Sequence, residues 1–400
     1  MFDSLRIPAY RRYMIGFTGS GVAFTNQQVA MGWLAYDLTQ SPSALGAVLL
    51  FSGITMAIGS LAGGVIADRW DRRATIISLQ AFAALNSLVI GLLVVTDHIQ
   101  FWYLYPYAAL NGLATGIHLP SRQAFVYNIV GKELLPNAMA INVANNNIMR
   151  LAAPALAGYF IAWFGVGSVF FSIVAGFGLS AVVMLFFVGP TKQEYLATRE
   201  HPVRAMLGGF TYLWRQRTLF WLVILTLVGT TMGMPFRDLM PAFAVEALDL
   251  DPQGFGLLMS MVGLGSIVGG IGIALLASSR RQGMLLVLAG MGWGVGLALL
   301  GLAPSLATAI IVIILLGCVS TFFNVINNVM LQTKADDAHR GRIASFHLLT
   351  FSTHPMGALA LGALADGTTI RTAYVAFGIA MVVVMLALGI WRSDVRRLAS

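Results

Sequence analysis

Stretches of about 20 mostly apolar residues recur twelve times along this chain, separated by short polar segments. A helix rises about 1.5 Å per residue, so each stretch is long enough to cross the apolar core of a membrane. We predict an all-α polytopic membrane protein with twelve transmembrane helices. Their spans are 13–37, 43–67, 74–96, 101–126, 136–162, 166–189, 219–244, 254–277, 284–303, 305–332, 342–365 and 370–391.

The longest polar segment divides the twelve stretches into two sets of six. We expect a first six-helix bundle over 1–189, a cytoplasmic linker over 190–218 and a second bundle over 219–400. Four residues in the second helix of the first half have an identical residue 210 positions later, in the second helix of the other half. This spacing predicts two pseudo-symmetric copies of one six-helix unit. The matching residues are Pro42, Gly46, Gly59 and Ala67 with Pro252, Gly256, Gly269 and Ala277.

The basic residues indicate which side of the membrane each loop faces. Twenty of the 24 Lys and Arg residues fall in alternate segments between the predicted helices, whereas the opposite loops carry mostly acids. Because Lys and Arg concentrate in cytoplasmic loops, both termini and the linker are predicted to be cytoplasmic. The net charge of +8 therefore reflects topology and contact with anionic membrane lipids. It does not indicate a nucleic-acid partner.

Composition excludes an ordinary soluble protein. The chain is 58% hydrophobic and 10% charged, with a mean hydropathy of +0.80. Its single cysteine, Cys318, lies in an apolar stretch, so no disulfide is possible within one chain.

The loop between the second and third predicted helices carries an unusual concentration of charge. It reads Gly64-Val-Ile-Ala-Asp68-Arg69-Trp-Asp71-Arg72-Arg73, with fixed charges where packed helices could slide on one another. The pattern Gly-x-x-x-Asp-Arg-x-x-Arg-Arg resembles the loop signature of the major facilitator superfamily. Asp71 departs from that signature, which usually has a second Gly at this position. The resemblance implies a gating role for Gly64, Asp68, Arg69, Arg72 and Arg73. We expect Asp68 to contact the positive N-terminal end of the eleventh helix, Arg72 or Arg122.

Further segments are similar to one branch of that superfamily, the drug:proton antiporter family 3, which includes macrolide exporters and the enterobactin exporter. They are Pro120-Ser-Arg122-Gln-Ala, Leu135-Pro-Asn-Ala138, Arg150-Leu-Ala-Ala-Pro154-Ala-Leu-Ala-Gly158, Leu331-Gln332, Arg340-Gly-Arg342 and His354-Pro-Met-Gly357. The resemblance implies two six-helix bundles around a central cavity, alternating access, and export coupled to proton entry. Pro154 and Gly158 resemble the export motif of the fifth helix, although its preceding Gly is Ala153 here. The Arg found early in the fourth helix of many such antiporters falls near Ala108, so its proton relay cannot be assigned to this chain.

Polar side chains recur at helical spacing inside several predicted helices. An ionisable residue inside a membrane is a candidate functional residue, so these stripes are candidates for a cavity or a proton site. Arg150 lies about 21 Å into its helix, too deep to reach the surface easily, and should face water or an acid. The cavity candidates are Asn26, Gln27, Asn142, Asn146, Arg150, Arg237, Asn324, Asn328 and His354.

Each stripe also has a simpler explanation. Asn and Gln in membrane helices often only join neighbouring helices by hydrogen bonds, worth about 0.6 kcal/mol on average. His118 shares a helix face with Arg122, and it is either a packing residue or a proton carrier, since histidine titrates near neutral pH. Arg237 and Asp238 lie between Pro235 and Pro241, which should kink or break the seventh helix.

Asp238 is a candidate for proton coupling, and an interfacial salt bridge with its neighbour is the alternative. Asp37 ends the first helix at a similar predicted depth and has the same two interpretations. The histidines His118, His347 and His354 have no cysteine or nearby acid to complete a metal site, so no metal is expected.

Enzymatic functions find little support in the sequence. The phosphate-binding pattern Gly-x-x-x-x-Gly-Lys-Ser/Thr is absent, and the Gly-rich run 263–270 lies within an apolar helix. An intramembrane acyltransferase would need a His/Asp or Ser/Lys pair at one depth, and no convincing pair is visible. A receptor-like membrane protein is a third class, but the tandem repeat and the Gly-rich helices favour a transporter.

We therefore expect a proton-driven exporter of small, amphipathic molecules such as drugs or siderophores, located in a bacterial-type cytoplasmic (inner) membrane. It should work as a monomer without a cofactor, with protons and membrane lipids as its other partners. Because fold alone does not determine direction or substrate, uptake of a small solute or lysophospholipid transport is the alternative.

Overall fold

In the structure, a computed structural model, all the regular secondary structure of the described residues is helical. The structure describes residues 3–189, 212–214, 216–276, 282–334, 336, 350 and 352–391, and the side chains of these except 64, 65, 67–69, 273–276 and 391. The α-helices are α1 Pro8–Thr39, α2 Pro42–Arg69, α3 Arg72–Val95, α4 Leu104–Phe164, α5 Val166–Phe187, α6 Arg217–Val228, α7 Pro235–Asp238, α8 Met240–Ala242, α9 Pro252–Leu276, α10 Gln282–Gly301, α11 Leu306–Lys334, α12 His354–Gly367 and α13 Ile370–Trp391.

Proline and aspartate define where several helices begin. Pro8, Pro42 and Pro252 are the first residues of α1, α2 and α9, a position where proline loses no helical hydrogen bond. The Asp71 carboxylate accepts a hydrogen bond of 2.7 Å from the Ala74 backbone N–H and caps the start of α3. This cap gives a physical reason for Asp71 at the position where the superfamily signature has Gly.

Eight segments of the described chain are long and apolar enough to cross a membrane. They are Pro42–Gly63, Arg72–Val95, Val166–Phe187, Arg217–Asp238, Pro252–Gly272, Gln282–Gly301, Leu306–Lys334 and Ile370–Ile390. They correspond to eight of the twelve predicted spans, and the full count of twelve stays a prediction. Large apolar side chains such as Phe186 and Phe164 are 72% and 69% exposed, as expected for helix faces that contact lipid.

The predicted fourth and fifth helices both lie within α4, which has a kink at Gly131. Gly131 interrupts it with a φ of +71°, a conformation that glycine adopts without strain, so that helix runs up to residue 130 and resumes at 132. The sequence had placed a longer connection between 126 and 136. Gly165, with a φ of +78°, then separates α4 from α5.

The seventh helix is broken, as its prolines predict. α6 ends at Val228 and is followed by a π-helical turn over Gly229–Gly233, the short helices α7 and α8, and a second π-helical turn over Phe243–Ala247. Pro235 begins α7, and Pro241 lies within α8. Single π-helical turns inside helices are often found at functional sites.

Contacts divide the described residues into two compact units. Unit 1 contains α1, α2 from Phe51 onward, α3, α4, α5 and α9 up to Ser260; unit 2 contains α2 up to Leu50, α6 to α8, α9 from Met261 onward, and α10 to α13. The predicted boundaries 1–189, 190–218 and 219–400 stay a prediction, and most of the linker lies outside the described residues.

The same helix packing recurs inside each unit. α3 packs against α5 in unit 1, and α10 packs against α13 in unit 2. The repeat spacing of 210 also aligns two close contacts. A Cβ at Gly59 would lie 2.3 Å from the Leu113 carbonyl oxygen, and one at Gly269 would lie 2.4 Å from that of Cys318. Glycine therefore permits α2 to approach α4, and α9 to approach α11, in equivalent ways.

Candidate functional site

Asp238 and His354 come together in unit 2. Asp238 ends α7 in the broken segment, and His354 begins α12. The Asp238 carboxylate oxygen Oδ2 lies 3.3 Å from His354 Nε2, and the two side chains are 21% and 29% exposed. Oδ2 accepts no hydrogen bond from the described residues. The arrangement is a partly buried carboxylate–imidazole pair whose charges depend on protonation.

Other polar and aromatic groups position this pair. The Arg237 guanidinium approaches the Ser320 hydroxyl of α11 at 3.4 Å and lies 5.7 Å from the centre of the Phe236 ring. The Tyr374 hydroxyl donates a 2.8 Å hydrogen bond to the Phe236 backbone carbonyl, which ties α13 to α7. Asp238 is thus held on a segment that three neighbouring helices support.

The amides of the first half mostly join helices inside unit 1. Asn26 donates to the Ser172 hydroxyl at 3.0 Å, and Asn142 accepts from the Tyr10 hydroxyl at 3.1 Å. Gln27 is 8% exposed and contacts the Tyr107 hydroxyl. These contacts fit the simpler explanation of hydrogen bonds between packed helices, although they do not test a role in transport.

The remaining cavity candidates are less enclosed. Arg150 is exposed, and no carboxylate among the described residues lies within ion-pair distance of it. Asn146 is half-buried. Asn324 donates to the Ser320 carbonyl one turn earlier, whereas Asn328 accepts from Gln332. Asp37, which was a candidate for proton coupling, is exposed near the end of α1.

The charged loop uses its arginines to hold helix ends within unit 1. Arg73 donates to the carbonyl oxygens of Met184 and Leu185 at 3.0 and 2.6 Å, at the C-terminal end of α5, where a cation is favoured. Arg72 donates to Asn128 at 2.9 Å. The surroundings of Gly64 and the side chains of Asp68 and Arg69 are not among the parts that the structure describes. The expected contact of Asp68 with the start of the eleventh helix, Arg72 or Arg122 therefore stays a prediction.

His118 and Arg122 share one face of α4 and line one small cavity of unit 1 with Tyr13 and Gln80. The Arg122 guanidinium lies 4.8 Å above the Phe17 ring, a cation–π distance. The expectation from their helical spacing, that both side chains project to the same side, is confirmed.

The export-motif residues Pro154 and Gly158 contact the start of α9 within unit 1. A Cβ at Gly256 would lie 2.5 Å from the Pro154 carbonyl oxygen, and one at Gly158 would lie 2.6 Å from that of Pro252. We call this contact the α4–α9 glycine contact. Nearby, the Trp33 and Phe255 rings stack with centroids 5.5 Å apart.

A counterpart lies in unit 2, between the start of α2 and α12. A Cβ at Gly46 would lie 2.6 Å from the Leu359 Cα, and one at Gly362 would lie 2.5 Å from the Pro42 carbonyl oxygen. Asp366 accepts a 2.9 Å hydrogen bond from Ser41. We call this the α2–α12 glycine contact. The 210-residue repeat aligns Gly46 with Gly256, so one glycine of each contact belongs to the repeat.

Sequence reasoning missed several residues of these sites. Gly46 and Gly256 appeared only as repeat matches, and the partnership of Asp238 with His354 did not appear at all. Ser320, Gly362 and Asp366 were not singled out. The repeat gave no signal for Gly362, because a spacing of 210 aligns it with Ala152 and aligns Gly158 with Thr368.

Comparisons with known proteins agree with a transporter. A family model described as transmembrane secretion effector matches residues 1–398. The chain is 26% identical over 392 residues to the enterobactin exporter EntS of Citrobacter koseri, covering 98% of this chain and 93% of the exporter. It is also 26% identical over 384 residues to EntS of Escherichia coli, covering 95% and 91%.

Solved structures share the fold at lower sequence identity. The nucleoside transporter NupG has a TM-score of 0.75 at 14% identity, covering 96% of this chain and 100% of that one. A POT family transporter in complex with 5-aminolevulinic acid has a TM-score of 0.77 at 13% identity, covering 96% of each chain. At such identities the similarity concerns the fold alone.

Proposed function

Because the chain belongs to the transmembrane secretion effector family of the major facilitator superfamily, we propose that it exports small amphipathic molecules by alternating access in exchange for protons. The protein is an integral inner-membrane transporter rather than an enzyme. Drugs and siderophores are the proposed substrate classes. The relatives at 26% identity, which are enterobactin exporters, support export and a siderophore-like substrate.

The carboxylate–imidazole contact of Asp238 and His354 supports proton coupling. An ionised Asp238 attracts a protonated His354 at 3.3 Å and holds the first turn of α12 to α7. Protonation of Asp238 removes that attraction. A proton can therefore change how two helices of unit 2 are held, which is the kind of change that a coupled transporter needs.

The broken helix allows such a change at low cost. Asp238 lies between two π-helical turns, where the backbone hydrogen-bond ladder is already interrupted. A neighbouring helix, α12, begins at His354 itself. Movement at these two helix ends breaks fewer backbone hydrogen bonds than movement inside a regular helix.

Everted membrane vesicles test both export and proton coupling. With an acidic interior, vesicles that contain the protein should accumulate a lipophilic cation or a catecholate, since their interior corresponds to the outside of the cell. A protonophore should abolish the accumulation, and vesicles without the protein should show none. Accumulation by right-side-out vesicles instead would indicate the alternative, uptake of a small solute or lysophospholipid.

The orientation of the termini has its own test. We propose that both termini and the linker are cytoplasmic, as the basic residues indicate. Single cysteines at Ser305 and Ser400 in a Cys318→Ala background should differ in intact cells. An impermeant thiol reagent should label the exposed position 305 and not position 400. Labelling of position 400 would contradict the orientation.

A further inference from the structure

A cavity among four helices of unit 1 has no role in the transport steps proposed above. Tyr13 and Phe17 of α1, Gln80 of α3, and His118 and Arg122 of α4 line it, and α5 closes the remaining side. It has room for about one water molecule. The cavity lies beside the aromatic stack of Tyr13 and Phe17, whose centroids are 5.7 Å apart.

Three polar atoms of the cavity lining are buried without a hydrogen-bond partner among the described residues. They are Tyr13 Oη, Gln80 Oε1 and His118 Nε2. Tyr13 is 3% exposed and Gln80 is 4% exposed, so bulk water does not reach them freely. Buried polar groups are almost always paired, with protein or with an ordered water. Three unpaired atoms around one small cavity therefore point to a common bound partner.

We propose that this cavity binds a single water molecule, which joins α1, α3 and α4 through Tyr13, Gln80 and His118. Water can donate to Gln80 Oε1 and accept from the Tyr13 hydroxyl. It can accept from or donate to His118 Nε2, according to the tautomer of the ring. This satisfies all three atoms with one molecule that makes three hydrogen bonds, a usual number for buried water.

The charges around the cavity favour water over an ion. The titratable side chains that line it are Tyr13 on α1, and His118 and Arg122 on α4; α3 and α5 contribute none. No carboxylate lines the cavity, so a metal cation would lie beside the Arg122 guanidinium without an opposing charge. His118 is accordingly a ligand of the water and not a proton carrier. This assignment does not depend on the direction or the coupling of transport.

Radiolytic footprinting of the native protein tests the proposal directly. Ionising radiation converts a bound water into a hydroxyl radical in place, which oxidises adjacent side chains even when they are buried. Tyr13 should therefore be oxidised several-fold faster than Tyr107. Tyr107 is a matched control, because it is 2% exposed in the same unit and its hydroxyl lies 3.2 Å from the Ser87 hydroxyl. Equal rates for the two tyrosines would overturn the proposal.

Paired substitutions give a second readout. Tyr13→Phe and Gln80→Leu should each lower the melting temperature, and the double variant should lower it by less than the sum, because either change releases the same water. The control pair Tyr13→Phe with Ser87→Ala should be additive. If the Tyr13 and Gln80 changes were also additive, no shared water would join them. His118→Gln should leave the pH profile of transport unchanged, and a shifted profile would contradict the assignment of His118.

Discussion

Asp238→Asn is expected to abolish proton-driven accumulation of substrate while substrate exchange across the membrane continues. Asparagine keeps the size of the side chain and its ability to hydrogen bond, but it can neither carry a negative charge nor take up a proton at physiological pH. If the proton that drives export binds at Asp238, the driving step is lost, whereas binding and exchange of substrate do not need it. Accumulation should fall to the level of vesicles without the protein.

Exchange of labelled for unlabelled substrate, without a proton gradient, separates this effect from misfolding. A folded but uncoupled variant should exchange and should not accumulate. Glu246→Gln is the matched control, because Glu246 is an exposed carboxylate later in the same broken helix. Its accumulation should be close to that of the native protein.

His354→Gln provides a complementary variant. It removes the imidazole that lies 3.3 Å from Asp238 and keeps a polar side chain there. We expect proton-driven accumulation to persist, because the carboxylate that we propose as the proton site remains; loss of accumulation would show that the imidazole is itself required. An Asp238→Asn protein that uses the proton gradient as the native protein does would show that the proton binds elsewhere.

Gly256→Val is expected to reduce transport strongly, whereas Gly270→Val in the same helix should be tolerated. A Cβ at Gly256 would lie 2.5 Å from the Pro154 carbonyl oxygen, so the start of α9 must move away from α4. No atom lies within 4 Å of a Cβ at Gly270. Overpacking typically costs about 1–3 kcal/mol, which corresponds to a roughly 5–150-fold shift of an equilibrium between two conformations.

Labelling of a buried cysteine reports whether the contact has opened. Ser260 is 2% exposed and belongs to the part of α9 in unit 1. A cysteine at this position, in a Cys318→Ala background, should react faster with a soluble thiol reagent when Gly256→Val is present. Gly270→Val should not change the rate. Equal labelling and equal transport for the two valine variants would show that the α4–α9 glycine contact has no role in the transport cycle.

The α2–α12 glycine contact should respond in the same way, since Gly46 is the repeat partner of Gly256. The α2–α12 and α4–α9 glycine contacts have similar geometry. In both, a glycine of one helix lies against the backbone of another helix, close to the proline that begins that helix. We infer that export relies on both contacts. The family resemblance of the sequence had indicated only Pro154 and Gly158 of these residues.

Several features could be predicted because they depend on residues close together in the chain. The apolar stretches indicated membrane helices, and Pro235 with Pro241 indicated a broken one. The spacing of His118 and Arg122 placed both on one face of α4. Each of these inferences uses only helix length, helix periodicity or the backbone chemistry of proline, which a short segment of sequence determines.

The site itself required the tertiary structure. Asp238 Oδ2 and His354 Nε2 are 3.3 Å apart only because α12 packs beside the broken helix. The residues next to Asp238 in the sequence do not indicate that His354 is its neighbour, and those next to His354 do not indicate Asp238. The same holds for Gly158 and Gly256, and for the three unpaired atoms around the water cavity. Polar spacing predicted Asn26 and Asn142 as cavity candidates, and only the structure shows the hydrogen bonds that each makes to a neighbouring helix.

The sequence by itself determined that this protein is a helical membrane protein, since hydropathy and charge placement are local or periodic signals. Its short motifs indicated the transporter family by resemblance. Which of its polar residues meet, and in which unit, was decided only by helix packing. One helix face could pack against the faces of several other helices. Which helix it packs against depends on the combined shape of residues that are far apart in the chain.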